Sequence, residues 1–171
     1  MDLKALVREI PDFPKPGVSF KDITTVLKSA EAFRQVVLEM AQPFRGECDV
    51  VAGVESRGFI LGAPIAYELG CGLVIMRKPG KLPAETIRTT YALEYGTDGL
   101  EVHRDAIVPG QRVLLVDDLL ATGGTISAAA ELVEALSGEI VGFSFFIELA
   151  YLNGRSRLGG RKVHSLITYH A

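Results

Sequence analysis

Cysteine is scarce in this chain: Cys48 and Cys71 are the only two in 171 residues. They form no CxxC pair and no metal-ligand spacing, and two thiols cannot build a disulfide framework. Both lie beside apolar runs, which predicts buried, reduced thiols and a cytoplasmic compartment. Net charge is also slight, at −3. That argues against a general nucleic-acid coat or a basic membrane binder, so any anion site must be built locally. Long apolar runs are missing. None approaches the ~20 residues that span a bilayer. Met1 to Ile10 (MDLKALVREI) is charged throughout and lacks the apolar stretch of a signal peptide. No internal repeat or linker is visible. His103, His164 and His170 stand in no nucleophile or metal arrangement, and no metal site made of protein ligands is expected.

What is present fits one globular domain over residues 1–171. Apolar residues make up 48% and charged residues 23%. A chain of this length buries about 70% of its unfolded surface, enough for a core without staples. Helical spacing of Leu3, Leu6, Val7 and Ile10 predicts a helix over Asp2–Ile10. The run IPDFPKPGVSFKDI then reads as a stiff, turn-rich connection. Ala30–Phe44, Phe59–Leu69 and Thr125–Leu136 read as helices. The runs 48–53, 72–77, 112–118, 139–149 and 163–169 read as strands, several of them apolar enough to be buried on both faces. This alternation predicts an α/β fold with a mainly parallel sheet. Between Arg77 and Val113, Tyr91, Leu93 and Tyr95 at spacing two predict an antiparallel excursion.

The strongest chemical signal runs from Val113 to Val133. An apolar strand ends in two acids, Asp117 and Asp118. A small-residue loop, Ala121-Thr122-Gly123-Gly124-Thr125, then opens a helix. Such a loop presents unpaired amides and a positive dipole end, which suit a phosphate. Glycines permit close backbone approach. No lysine follows them, so this is not a Walker loop, nor is it a GxGxxG site. The acids would repel a phosphate unless they face sugar hydroxyls or a cation. The plainer alternative is an acidic helix cap followed by an ordinary turn.

LLVDDLLATGGT resembles the phosphoribosyl pyrophosphate signature of the type I phosphoribosyltransferases. The resemblance implies that fold: a central, mainly parallel sheet flanked by helices, with a flexible flap and a small hood. It implies that Asp117 and Asp118 hold the ribose hydroxyls and that residues 121–125 wrap the 5′-phosphate. Residues 1–29 would contribute to the hood, and the flap would span about 78–98.

Basic residues gather at two other strand ends. Arg57 follows the strand in VVAGVESRGF, and Arg77, Lys78 and Lys81 lie in MRKPGKLP. Solvated surface cations are the alternative. Together they read as a clamp on a multiply charged leaving group. The long segment after Lys78 reads as a lid that excludes water. A Mg²⁺ ion, held mainly by substrate oxygens, fits the habit of that ion.

IPDFPKPGVSFKDI, ESRGF with RKPGKLP, LEYG and VDDLLATGGT together resemble the adenine phosphoribosyltransferase family, in order and over nearly the whole chain. That likeness implies transfer of a phosphoribosyl group from phosphoribosyl pyrophosphate to adenine, giving AMP and pyrophosphate. It also implies purine salvage and a homodimer. Ser19, Phe20 and Lys21 would form the base pocket. The family often has Arg where Lys21 stands, and lysine lacks its planar fork. Glu94 would move the proton on the base, with Arg57 and Lys81 completing the catalytic set; a solvent-facing glutamate on an alternating strand is the alternative. Tyr95 would contact phosphate or simply pack. Two other readings stand beside this one: transfer to an oxopurine, and a phosphoribosyl pyrophosphate-binding regulator without turnover.

Overall fold

The computed structural model describes residues 1–93 and 96–171. A single helical turn, α1 (Leu3–Leu6), comes first, its Lys4 and Ala5 amides donating to the Asp2 carboxylate at 3.1 and 3.3 Å. The helix expected over Asp2–Ile10 stops there. Val7 is extended, and strand β1 (Arg8–Ile10) pairs antiparallel with β2 (Phe20–Asp22). So short a helix is marginal alone, and a tertiary partner decides the outcome. Arg8 donates from Nε and Nη2 to Asp22 Oδ2 at 2.9 and 2.5 Å.

Helix α2 (Thr24–Leu27) leads into α3 (Ala30–Ala41). Ser29 caps α3, its Oγ accepting from the Ala32 amide at 3.2 Å. Ala32, Val36, Val37, Met40 and Ala41 form its buried stripe. Strand β3 (Val50–Val54) is buried at every residue and feeds α4 (Arg57–Leu69), which ends on Gly70 at φ +68°. Strand β4 (Gly72–Met76) follows. Next comes an antiparallel hairpin, β5 (Thr86–Leu93) and β6 (Gly96–His103), in the region predicted to leave the sheet. Strand β7 (Arg112–Leu120) leads to α5 (Gly124–Ala135), then β8 (Glu139–Leu149) and β9 (Val163–Tyr169).

The main sheet has the order β4-β3-β7-β8-β9, with every neighbouring pair parallel. Alternation along β7 divides the core. Leu114 and Val116 face the cluster under α3 and α4, while Val113 and Leu115 face the cluster under α5 and the hairpin. A strand buried on both faces reads as an unbroken apolar run, which is why VLLV shows no polar alternation. Cys48 and Cys71 are free thiols with sulfurs 3.5 Å apart. Burial and the neighbouring Cys71 push the Cys48 thiol up to about 12.

After β3 the chain moves to one side of the sheet, and after β7 it moves to the other. The carboxyl ends of these two strands therefore flank a topological switch point, where open α/β sheets bind ligands. No helix among the described residues is long and apolar enough to cross a membrane.

Candidate active site at the switch point

A cleft of about 380 Å³ opens at that point. Val54 to Arg57 line one wall, Asp117 to Ile126 the other, and Lys78 stands at the margin. Both acids face it although they are adjacent on a strand. The ladder to β8 skips Asp118, resuming at Leu119 and Leu120, so β7 runs two residues past its expected end. The Asp118 amide donates to Asp117 Oδ1 at 2.8 Å.

The first turn of α4 lies tight on this wall because Gly53 and Gly58 carry no side chain. A Cβ on Gly58 would stand 3.1 Å from Asp117 Oδ1, and one on Gly53 would stand 2.9 Å from the Gly58 carbonyl oxygen. That closeness brings Arg57 onto Asp118, its Nε–H donating to Oδ2. Asp117 is pushed well above the ordinary carboxylate range, first by burial and then by the charge of Asp118.

Ala121, Thr122, Gly123, Gly124 and Thr125 all line the cleft. Gly123 stands at the N-cap of α5 with φ +87°, and no side chain caps that helix. Its first amides are therefore open to a ligand. The loop rests on a segment that carried no sequence signal. A Cβ on Gly123 would stand 2.7 Å from the Gly154 carbonyl oxygen, and one on Gly154 would stand 2.4 Å from that of Ala121.

The basic turn is already paired. Glu55 Oε1 accepts from Arg77 Nε at 3.1 Å and from the Lys78 amide at 3.0 Å, and Oε2 accepts from Lys81. Burial works to raise Glu55, but Lys81, the Lys78 amide and Arg77 outweigh it and hold the carboxyl below its usual range. Lys78 Nζ pairs with Asp98. Buried Glu101 accepts from the Gly80 amide at 2.5 Å and from Thr86 Oγ1 at 2.7 Å, anchoring the turn to the hairpin. Glu55, Asp98 and Glu101 went unassigned in the sequence. Glu55 stood inside the quoted ESRGF motif, but the others pair across the hairpin and left no local signal.

At the third edge, Phe20 packs edge-on against Phe13, with ring centroids 5.2 Å apart, and the Arg57 guanidinium lies 5.6 Å from its centroid. Ser19 and Lys21 alternate away from Phe20. Lys21 Nζ pairs with Glu9 at 2.8 Å, donates to Ser19 Oγ at 3.2 Å and sits 4.1 Å from the Tyr169 ring centroid. Its charge is thus engaged within the N-terminal hairpin. Glu94 and Tyr95 lie outside the described residues.

Residues 20–159 match the phosphoribosyl transferase domain family. The adenine phosphoribosyltransferase of Desulfitobacterium hafniense is 57% identical over 99% of this chain and 98% of its own length. This chain belongs to the adenine phosphoribosyltransferase family. The crystal structure of the family member from Thermoanaerobacter pseudethanolicus superposes with a TM-score of 0.95 at 55% identity, covering 98% of each chain. That of Saccharomyces cerevisiae, complexed with an imino-altritol bisphosphate and adenine, superposes with a TM-score of 0.91 at 39% identity, covering 96% of each chain. The α/β fold is thus that of the type I phosphoribosyltransferases.

Proposed function

We propose that this chain transfers the 5-phosphoribosyl group of phosphoribosyl pyrophosphate to adenine, giving AMP and pyrophosphate, in cytoplasmic purine salvage. The observation that carries the reading is the convergence of Arg57 and the Asp117–Asp118 pair on one cleft, opposite an uncapped helix N-terminus. Asp117 and Asp118 take the ribose hydroxyls, and the 121–125 loop takes the 5′-phosphate through amides and the Thr122 and Thr125 hydroxyls.

Pyrophosphate leaves toward Arg57, Arg77, Lys78 and Lys81. In the free protein these cations are balanced by Asp118, Glu55 and Asp98, which hold them in place. Substrate oxygens replace those carboxylates, and charge that develops as the C1′–O bond breaks meets preorganised cations. The N-terminal hairpin forms a hood with Phe20 against the base, and backbone groups near Ser19 and Lys21 read its edge. Glu94 accepts the proton that adenine loses, Tyr95 contacts phosphate, and the segment from Lys78 acts as a flap that keeps water from the reacting carbon.

The donor set suits Mg²⁺ carried on the substrate. No three His, Cys, Asp or Glu groups gather among the described residues, and this ion takes one or two carboxylates plus substrate oxygens. Asp117 and Asp118 would hold it through the sugar oxygens, where it would neutralise charge on the leaving pyrophosphate. Exposed apolar side chains on α4 and the β4 edge, Ile60, Tyr67, Leu73 and Ile75, support a homodimer through that face.

The test is product formation from phosphoribosyl pyrophosphate and Mg²⁺ with adenine, hypoxanthine, guanine and xanthine offered separately. AMP from adenine alone is expected. Product from an oxopurine would overturn the base assignment. Tight phosphoribosyl pyrophosphate binding without turnover would favour a regulator.

A further inference from the structure

The cations named so far cluster on the pyrophosphate side. The loop proposed to hold the 5′-phosphate, Ala121 to Thr125, has no cationic side chain of its own. A phosphate monoester there carries close to two negative charges at neutral pH.

One guanidinium does reach this loop, from a distant part of the chain. Arg157 Nη1 lies 3.6 Å from where a Cβ on Gly124 would stand, beside the Tyr91 ring at 3.8 Å from the same point. Arg157 is exposed, and no hydrogen bond or ion pair engages it among the described residues. Its neighbours, by contrast, are fixed. Gly154 is buried against the loop, Leu158 is buried in the core beneath α5, and Arg155 forks onto Glu148 Oε1 and Oε2 at 3.1 and 2.6 Å. Ser165 Oγ donates to the same Glu148 carboxylate at 2.7 Å. The segment Gly154–Leu158 is therefore pinned on both sides of Arg157, while no partner among the described residues holds that side chain.

We propose that Arg157 is a 5′-phosphate-binding residue: the segment that buttresses the loop also supplies its cation. This rests on the function proposed above and deepens it. A planar guanidinium can fork onto two phosphate oxygens, adding charge where the loop offers only amides and hydroxyls.

The test is calorimetric binding of AMP, ribose 5-phosphate and pyrophosphate to the native protein, Arg157→Ala and Arg157→Lys. Alanine is expected to weaken AMP and ribose 5-phosphate by roughly 10- to 100-fold, the span of a charge-assisted hydrogen bond. Pyrophosphate affinity should stay within about twofold, and lysine should restore part of the loss. The KM for phosphoribosyl pyrophosphate should rise more than kcat falls. Unchanged ribose 5-phosphate affinity, or an equal loss for pyrophosphate, would overturn the assignment. A native protein that binds neither AMP nor ribose 5-phosphate would instead refute the function on which it rests.

Discussion

Arg57 donates its Nε–H to the Asp118 carboxylate, and this one pair ties the first turn of α4 to the far end of β7. Its two halves serve opposite parts of the proposed substrate, so the pair must open when substrate binds. Arg57→Ala leaves Asp118 beside Asp117 without its cation and removes the donor proposed for pyrophosphate. The KM for phosphoribosyl pyrophosphate and the inhibition constant of pyrophosphate should each rise by about 10- to 100-fold. Steady-state kinetics in both directions check this. An effect on adenine KM alone would place Arg57 elsewhere in the reaction.

Asp117 is raised by burial and by Asp118, so folding favours its protonated form. The stability of that form is fully present below the unfolded value of about pH 4 and is lost as pH rises through the higher folded value. Asp117→Asn keeps the shape and removes the charge. The variant should melt a few degrees higher than native at pH 7.5, with the gain vanishing by about pH 4. Its kcat/KM for phosphoribosyl pyrophosphate should fall by roughly 10- to 100-fold. Melting curves across pH test the first claim independently of activity. A gain that persists undiminished at pH 4 would contradict it.

The sheet and the small-residue loop 121–125 that opens α5 were legible because their signals are local. Two-sided burial wrote unbroken apolar runs into β3 and β7, and ATGGT needs small residues within five positions. The N-terminal helix misread shows the limit. Leu3, Leu6, Val7 and Ile10 have helical spacing, yet Arg8–Ile10 pairs with Phe20–Asp22 because a partner ten or more residues away offers ladder bonds and the Arg8–Asp22 ion pair. Partners brought together only by folding also left no trace. Glu55 closes on Lys81 across 26 positions, and Gly154 meets Gly123 across 31.

Gly154 illustrates how strict such a contact is. A Cβ there would stand 2.4 Å from the Ala121 carbonyl oxygen and 3.1 Å from the Gly123 amide nitrogen. Both are backbone atoms of the loop and cannot swing aside. Gly154→Ala should destabilise the protein by about 1–3 kcal/mol and displace the loop, so that AMP binding weakens more than pyrophosphate binding. Gly72→Ala is the control, since its nearest atom is a Val50 methyl at 3.4 Å. Denaturant unfolding and calorimetry on both variants decide it. Equal AMP affinity in the two would mean that the loop does not depend on Gly154.

Asp22 ties the N-terminal hairpin to the chain that follows it. Its Oδ1 accepts from Thr24 Oγ1 at 2.6 Å and from the Thr24 amide at 2.9 Å, while Oδ2 holds Arg8. The Thr24 hydroxyl, then its amide, then Arg8 lower the carboxyl to about 2. A lowered carboxylate stabilises the fold fully above its unfolded value of about pH 4, and that contribution is lost as pH falls toward the folded value. Asp22→Asn should therefore melt below native at pH 7, with the gap closing as pH falls from about 4 toward the folded value. Because β2 also carries Phe20, loosening it should reach the base before the sugar. Adenine KM should rise in Asp22→Asn while the KM for phosphoribosyl pyrophosphate stays nearly constant. If both rose together, the hairpin would act on the whole cleft, and the separate role given to Phe20 would fail.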